Sequence, residues 1–273
     1  MLKKVIILSL AVLISIYAGE ARAGRVSRAE KTASKKDLTK ELVKTDSFLL
    51  TAYHRFKEKN DTLRVYIEGD GRAWVKKRLS HDPTPKKPFV LILAGMDPSD
   101  NVVYIARPCQ YTPRDMEPLF DSVFWSDKRF SEPVILSVNQ AINKYKADTG
   151  AEKIELVGYS GGAAVAVLAA SRRNDVTRLI TIAGNLDPDA VNKHHRVTPM
   201  TGSLDPLDEA HAISNIPQSH FIGDKDRIVP RFISENFIFH LNNNNSAEVI
   251  EVEGCTHTKG WIKKWKNLLS ALP

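Results

Sequence analysis

The sequence predicts an α/β protein built on one doubly wound, mostly parallel sheet with helices on both of its faces. Two observations carry this prediction. Strand-like and helix-like segments alternate along the chain after about residue 46, which is typical of a sheet with helical crossovers. The chain has 273 residues and a hydrophobic fraction of 42%, so one large domain is the natural count.

The start of the sheet is predicted to be antiparallel. Residues 48–56 and 62–68 have strand patterns joined by a short turn-like segment, and residues 102–107 have a third strand pattern. The apolar run 89–96 could be a strand or a helix by its periodicity alone. It lies between two strands that must be parallel to each other, and a parallel crossover is usually helical. We therefore predict a helix over residues 89–96.

The rest of the chain continues the alternation of strands and helices. The further predicted strands are 154–157, 179–183, 219–223 and 248–252. The further predicted helices are 130–145, 163–172, 231–241 and 261–272. In the last helix, Trp261, Trp265 and Leu269 recur at helical spacing beside several lysines. This spacing favours a core-facing stripe with a solvated basic side over a surface for nucleic acid or membrane.

Residues 1–23 have the pattern of a secretory leader. Residues 1–4 are positively charged, residues 5–18 form an apolar run too short for a comfortable membrane span, and residues 21–23 match a small-x-small cleavage pattern. We expect cleavage near Ala23 and export to the periplasm or the medium. An uncleaved N-terminal membrane anchor is the alternative.

The remaining chain is predicted to divide into a linker and a domain. Residues 24–45 are polar and charged, which predicts a linker or a loosely docked helix, and residues 46–273 form the domain, with a small cap expected over 185–218. The formal charge of +7 is spread along the chain, so it favours contact with an anionic envelope surface without requiring nucleic acid. No HExxH motif or standard zinc spacing is present, and we expect neither a metal nor a cofactor.

The most informative motif is the segment Gly-Tyr-Ser-Gly-Gly, centred on Ser160. It lies between the predicted strand 154–157 and an alanine-rich helical run. A serine flanked by glycines as G-x-S-x-G at a strand-to-helix corner is typical of a nucleophile elbow. The glycines permit a tight turn, and the serine hydroxyl projects at the start of a helix, whose dipole favours developing negative charge. The motif therefore predicts Ser160 as a nucleophile.

A nucleophilic serine needs an acid and a base, which in this arrangement follow it in that order along the chain. Asp226 and His257 each come just after a predicted strand, where catalytic groups collect in parallel sheets. Asp187, which follows an earlier strand, is an alternative acid, and Asp224 is expected to cap the turn before Asp226. His54 lies in the first strand pattern, upstream of the serine, and His220 opens a strand at its N-terminal end, away from the catalytic edge. The other histidines are expected to be surface or supporting residues: His81, His194, His195, His211 and His240.

The segments GYSGG, GDKDRIVP and GCTHTKGW, in this order and spacing, resemble the three active-site segments of the α/β-hydrolase superfamily. The resemblance covers most of the chain after about residue 46. It implies hydrolysis through a serine nucleophile without a cofactor, and it names no substrate. Three further segments are similar to a group of bacterial, mostly uncharacterised α/β hydrolases: IEGDGRAW, IARPCQY and AGNLD.

Two further expectations follow from this arrangement. An oxyanion hole needs two backbone N–H groups, of which Gly161 gives one and the loop of residues 69–71 the other. We predict the N–H of Asp70, with those of Gly69 and Gly71 as open alternatives. The resemblance places the strands before Cys109 and Cys255 far apart in the sheet, so both cysteines are expected to stay unpaired although export permits oxidation.

Three functional hypotheses remain open from the sequence. The first is a carboxylic-ester hydrolase, with lipase and thioesterase variants included, acting on a small-molecule or lipid-like ester. The second is a peptidase or amidase that uses the same triad. The third is a non-catalytic envelope binding protein, which has no need of Ser160, Asp226 and His257 together.

Overall fold

Ten strands and seven α-helices make up the part of the chain that the computed structural model describes, which is residues 20–57, 62–242 and 246–272. The strands are β1 (Thr39–Lys44), β2 (Leu49–Phe56), β3 (Thr62–Ile67), β4 (Trp74–Val75), β5 (Arg78–Leu79), β6 (Asn101–Ile105), β7 (Lys153–Tyr159), β8 (Val176–Ile182), β9 (Gln218–Gly223) and β10 (Ala247–Val252). The helices are α1 (20–34), α2 (Phe89–Met96), α3 (Glu132–Thr149), α4 (Gly161–Ala170), α5 (Pro188–His195), α6 (Arg231–Phe239) and α7 (Trp261–Ser270).

Eight of the strands form one sheet, in the order β1-β2-β6-β3-β7-β8-β9-β10. β2 is antiparallel to both of its neighbours, and every pair from β6 to β10 is parallel. β4 and β5 form a separate short hairpin that the sequence did not predict. The predicted fold class and the antiparallel start of the sheet are confirmed.

Helices cover both faces of this sheet, because side chains alternate between the two faces along each strand. In β3, Leu63, Val65 and Ile67 are buried in the core shared with α3 and α4, and Tyr66 is buried in the core shared with α1, α2 and α7. The helix predicted over the apolar run 89–96 is confirmed as α2. It connects β3 to β6, and these neighbouring strands are parallel.

The segment 24–45, predicted as a linker or a loosely docked helix, is ordered against the domain as a helix followed by a strand. Residues 24–34 belong to α1, where Ala29 and Ala33 are fully or almost fully buried, and β1 pairs with β2. Two alanines spaced by four residues give a helix a narrow apolar stripe, which is enough to pack it although the segment is otherwise polar. Strand pairing of β1 uses backbone groups, which composition does not reveal.

The predicted leader falls mostly on residues 1–19, which lie outside the described residues. Residues 20–23 belong to α1, and the guanidinium group of Arg22 donates hydrogen bonds to Asp82, to Thr84 Oγ1 and to the carbonyl groups of Cys109 and Thr112. Among residues 20–57, 62–242 and 246–272, no helix combines the length and the apolar character needed to cross a membrane.

Both cysteines are buried and unpaired, as expected. Cys109 follows β6, the third strand of the sheet, and Cys255 follows β10, the eighth. A disulfide needs its two Cα atoms within about 7 Å, which strands so far apart in the sheet do not allow.

Candidate active site

Ser160 occupies the corner between β7 and α4 in a strained backbone conformation. Its φ of 51° and ψ of −121° lie in a region that residues with a Cβ rarely adopt. The corner is held by backbone hydrogen bonds: the N–H of Ser160 donates to Ile182 O at 3.0 Å, and its carbonyl accepts from the N–H groups of Ala163 and Asn185, each at 3.0 Å. Such strain persists only where the surrounding structure enforces it, which is typical of a functional site.

The glycines of the motif let the backbone pack closely around this corner. A Cβ on Gly158 would lie 2.5 Å from the Cα of Ala163, on the first turn of α4. A Cβ on Gly162 would overlap the carbonyl oxygen of Ile67, at the end of β3. Any side chain at either position would therefore push α4 away from the sheet and move Ser160 with it.

The structure brings Ser160, His257 and Asp226 together at the carboxyl ends of β7, β10 and β9. The Nε2 atom of His257 lies 3.0 Å from Ser160 Oγ, and its Nδ1 atom lies 2.8 Å from Asp226 Oδ2. The Asp226 side chain is 2% exposed, and its other oxygen accepts from the N–H groups of Ile228 at 2.8 Å and Val229 at 3.1 Å. These bonds hold the carboxylate in one orientation, aimed at the imidazole.

The two alternative aspartates have other partners. Asp187 accepts a hydrogen bond from the N–H of Ala190 at the start of α5 and another from the side-chain amide of Asn236. Asp224 accepts from the N–H of Cys255 at 3.1 Å and so ties the loop after β9 to the loop that carries His257. Asp224 therefore bridges two loops instead of capping its own turn.

His220 has no part in this constellation. It lies within β9, fully buried, with its Nδ1 atom 2.9 Å from Thr181 Oγ1. Burial lowers the pKa of His220 to about 3, so the ring is neutral at physiological pH. Its ring packs against Phe237 of α6, so His220 is part of the buried interior and not of the candidate active site.

Tyr159 is a residue of the site that the sequence did not single out. Its ring lies 5.3 Å from the ring of His257, and its hydroxyl donates to the His257 carbonyl oxygen at 3.1 Å. Burial raises the pKa of Tyr159 well above its ordinary value, so the hydroxyl keeps its proton. Tyr159 thus positions the histidine, yet it stands at the variable place of the G-x-S-x-G motif, where no pattern predicts a role.

The loop of residues 69–71 lies directly beside the elbow. The N–H of Gly69 donates to Glu68 Oε1 at 3.0 Å, which leaves the N–H groups of Asp70 and Gly71 as candidates for the second oxyanion donor. The carboxylate of Asp70 lies so close to Gly161 that a Cβ there would overlap it. Asp70 remains our prediction for this donor.

The charge of Asp70 is balanced by two arginines that the sequence did not assign to the site. Arg107 Nη1 lies 3.4 Å from Asp70 Oδ1, and Arg129 Nε lies 3.4 Å from Asp70 Oδ2. All three side chains are at most 23% exposed. An unpaired carboxylate beside Gly161 would repel the developing oxyanion, and these arginines offset that repulsion.

Glu68 is a buried carboxyl group beneath the site. Tyr104 donates its hydroxyl to Glu68 Oε2 at 2.8 Å, and Gly69 donates to Oε1. Burial in the protein interior nevertheless raises the pKa of Glu68 to about 7. The carboxyl group is therefore partly protonated at neutral pH in the folded protein.

This shifted pKa predicts that the protein loses stability as the pH rises. Between pH 4.5 and 7 the folded state holds a proton on Glu68 that the unfolded state has released, so the free energy of unfolding falls across this window. The loss is about 3 kcal/mol, at 1.4 kcal/mol per unit of pKa. In Glu68→Gln, urea denaturation at pH 5 and pH 8 is expected to show this difference greatly reduced, since the amide carries no charge.

The exposed Glu253→Gln variant is the control for this comparison, and it should keep the pH dependence of the original protein. A Glu68→Gln protein that loses as much stability between pH 5 and pH 8 as the original would contradict the assignment to Glu68.

A cavity of about 1020 Å³ opens at Ser160 and His257. Its walls come from the loop after β3, from the start of α2 and from the start of α7. None of residues 185–218, all of which the structure describes, lines it. That segment forms α5 and two short 3₁₀ turns beside the acid loop, where His195 Nε2 lies 2.7 Å from Ile228 O, so the expected cap does not cover this cavity.

The residues that the structure describes contain no group of three or more histidine, cysteine, aspartate or glutamate side chains placed to hold a metal ion.

Comparison with known proteins shows the fold but no sequence relative. No protein-family model matches the sequence, and no curated protein matches it. Among solved structures, the chain is similar to an α/β serine hydrolase homologue from Coxiella burnetii, with 16% identity, 85% of this chain and 94% of that chain covered, and a TM-score of 0.57. It is also similar to an esterase from Pyrococcus furiosus, with 12% identity, coverage of 86% and 90%, and a TM-score of 0.61.

A third similar structure is a bacterial membrane phospholipase A, with 15% identity, 98% of this chain and 97% of that chain covered, and a TM-score of 0.56. These likenesses, together with the eight-stranded, mostly parallel sheet, show that the protein has the α/β-hydrolase fold. The fold implied by the three sequence segments is thereby confirmed.

Proposed function

We propose that the protein is a serine hydrolase that cleaves a carboxylic ester or thioester through an acyl-enzyme. The observation that carries this proposal is the continuous hydrogen-bonded line from Ser160 Oγ to His257 Nε2 at 3.0 Å and from His257 Nδ1 to Asp226 Oδ2 at 2.8 Å. A nucleophile within hydrogen-bond reach of a base, itself oriented by a third group, is the arrangement that activates a serine hydroxyl.

In the first half of the reaction, Ser160 Oγ attacks the carbonyl carbon of the ester while His257 Nε2 takes the hydroxyl proton. The negative charge that forms on the carbonyl oxygen is stabilised by the N–H groups of Gly161 and Asp70. His257 then gives its proton to the departing alcohol or thiol, and the acyl group remains on Ser160. Asp226 holds the imidazole in the correct tautomer and stabilises its positive charge.

In the second half, water replaces the leaving group. His257 takes a proton from the water molecule as its oxygen attacks the acyl carbon, and the same two N–H groups stabilise the second tetrahedral oxyanion. Collapse of this intermediate releases the carboxylic acid, and His257 returns the proton to Ser160. No cofactor takes part in these steps.

Proteins of similar structure support an ester over an amide as the substrate, since one of them is an esterase and another is a phospholipase. A peptidase or amidase on the same triad is the second candidate. A binding protein without catalytic activity is disfavoured because it gains nothing from the strained backbone of Ser160 or from its alignment with His257.

The decisive experiment combines a substrate panel with a covalent probe. p-Nitrophenyl esters of increasing acyl length are assayed beside peptide anilides, and a fluorophosphonate probe tests for an activated serine. Ester turnover together with labelling supports the proposal. Turnover of anilides alone would indicate the amidase, and a protein that neither labels nor turns over any of these substrates would be the binding protein.

We further propose that the protein is exported and that its leader stays attached. The sequence predicts cleavage after Ala23, but that cut would remove Arg22. Its guanidinium group contacts Asp82, Thr84 and two carbonyl groups, with 14% of the side chain exposed. Without Arg22, the carboxylate of Asp82 would keep Arg25 and the N–H group of Thr84, and the two carbonyl groups would lose a charged donor. These contacts favour the uncleaved membrane anchor.

N-terminal sequencing of the protein from the envelope fraction of its host tests this choice. A chain that begins before Arg22 and sediments with the membrane is the expected result. A chain that begins at Gly24 in the soluble exported fraction would show that the leader is removed despite these contacts. A chain that begins at Met1 in the cytosol would contradict export altogether.

A further inference from the structure

Several lysine and arginine residues border the cavity at Ser160. Six of its lining residues are lysine or arginine, and we call them the cationic rim. Within residues 20–57, 62–242 and 246–272, none of the six has an ion-pair partner. The members of the cationic rim are Arg72, Lys86, Lys87, Lys259, Lys263 and Lys264.

These charges come from three separate parts of the chain. Arg72 lies in the loop after β3, Lys86 and Lys87 precede α2, and the other three lie between β10 and the second turn of α7. The sheet order brings these segments to one edge, whereas the sequence shows only a charge excess spread along the chain. Four of the six, Lys86, Lys87, Lys259 and Lys263, are exposed to solvent.

The acidic groups of the same cavity do not neutralise the cationic rim. Glu68 is held by Tyr104 and Gly69, and burial raises its pKa to about 7, so part of its charge is absent at neutral pH. The carboxylate of Asp70 lies between Arg107 and Arg129, outside the cationic rim. A cleft with one dominant sign of charge concentrates ligands of the opposite sign.

The same cavity also has an apolar surface. Phe89 and Ile92 of α2 line it, and so does Ile262 of α7, which is 39% exposed. Trp74 of the β4–β5 hairpin also lines it and is 53% exposed. Exposed apolar side chains grouped beside a reactive serine indicate contact with an apolar ligand.

We propose that the ester cleaved at Ser160 carries a negatively charged group beside an apolar chain, and that the cationic rim binds the charged group. The apolar chain then lies against Phe89, Ile92 and Ile262. This proposal rests on the ester hydrolysis proposed above. The charged group can belong to a small acid or to the headgroup of a lipid, and both present the same chemistry to the cationic rim.

Two matched pairs of substrates test the preference for negative charge. p-Nitrophenyl pentanoate is compared with p-nitrophenyl hydrogen glutarate, which has the same chain length and a terminal carboxylate. Dihexanoyl phosphatidylcholine is compared with dihexanoyl phosphatidylglycerol at monomeric concentrations. We expect kcat/KM to be about tenfold higher for the anionic member of at least one pair, and the preference to weaken as salt is raised from about 0.02 M to 0.5 M.

The pair that shows the preference identifies the source of the charged group. A preference confined to the glutarate pair indicates a small acid, and one confined to the phospholipids indicates a lipid headgroup. Equal kcat/KM values within both pairs would overturn the proposal.

The double variant K259Q/K263Q tests the cationic rim itself. Its ratio of kcat/KM for the anionic over the neutral substrate should fall about tenfold. The matched control is K44Q/K266Q, which removes the same charge at two exposed lysines that do not line the cavity, one of them also on α7. An equal fall in both double variants would mean that net charge, and not the cationic rim, sets the preference.

A binding measurement separates this proposal from the proposed chemistry. Titration calorimetry of the Ser160→Ala protein with octyl phosphate should show binding that the added substitutions K259Q/K263Q weaken about tenfold. Octyl glucoside has the same alkyl chain without a charge, and it should bind the Ser160→Ala protein no more tightly with the two lysines than without them. If no ester is hydrolysed but octyl phosphate binds in this way, the proposed function fails and the anionic site stands. If esters are hydrolysed and octyl phosphate does not bind, the inference fails and the proposed function stands.

Discussion

Replacing Ser160 with alanine is expected to lower ester turnover by roughly four to six orders of magnitude, since loss of the nucleophile removes the acyl-enzyme route. The residual rate would come from substrate binding and the oxyanion N–H groups, which do not depend on the serine hydroxyl. Alanine, like serine, carries a Cβ, so the strained backbone at φ 51° changes little and thermal unfolding should be nearly unaltered. Fluorophosphonate labelling should disappear with the activity.

Ser171→Ala is the matched control for this prediction. Ser171 stands at the opposite end of α4 from Ser160, and its hydroxyl donates to the carbonyl of Leu168. This variant should keep its labelling and its turnover. Labelling that persists in Ser160→Ala, or that maps to another serine, would remove Ser160 from its proposed role.

Changing Asp226 to asparagine is expected to lower turnover by about 10⁴-fold. Oδ1 of the aspartate accepts the N–H groups of Ile228 and Val229, so the asparagine oxygen is expected to take that place and turn its amide nitrogen towards His257 Nδ1. A donor at that point holds the imidazole in the tautomer with its proton on Nε2. Nε2 can then no longer accept the proton of Ser160, although the fold is intact.

Two other aspartates provide controls on the same chain. Asp187→Asn and Asp224→Asn remove charges whose partners are Asn236 and backbone N–H groups, so both should lose less than tenfold in turnover even where stability falls. Steady-state kinetics beside urea denaturation separates the two effects. A crippled Asp187→Asn enzyme with an active Asp226→Asn would mean that the acid comes from the loop after β8.

Local sequence patterns predicted much of the architecture. Strand and helix periods located most of the elements, and the strand-before-helix context placed Ser160 at a corner that the structure shows in a strained conformation. The roles of Gly158 and Gly162 could be predicted from the sequence, because a glycine at a tight turn indicates that another part of the backbone packs where a Cβ would otherwise lie. The structure identifies the groups that a Cβ would clash with, which are the Ala163 backbone at Gly158 and the Ile67 carbonyl at Gly162.

Elements that depend on long-range pairing were missed or misjudged. The segment 24–45 is mostly polar and charged, so composition predicted a linker or a loosely docked helix, but a few scattered apolar side chains and the pairing of β1 with β2 hold it against the domain. The buried apolar side chains are Ala29, Ala33, Leu38 and Val43. The segment 185–218 was long enough for a cap, but its length does not determine where it packs. Both errors have the same origin, since the place where each segment packs depends on contacts with residues that are distant in the sequence.

What the sequence determined by itself is the order of most elements, the fold class that their alternation indicates, and the serine at the strand-to-helix corner, because each strand or helix pattern and the G-x-S-x-G motif lie within short stretches of the chain. The sequence favoured Asp226 over Asp187 and Asp224 by resemblance, but only the tertiary structure brought it against His257. The tertiary structure also brought Tyr159 against His257 and gathered six scattered cations around one cavity. These features depend on which strand ends meet at the edge of the sheet. The strand order and the packing between distant segments determine which strand ends meet. Contacts such as that between Tyr66 and Trp265 join residues 199 positions apart, and no local sequence pattern can reveal them.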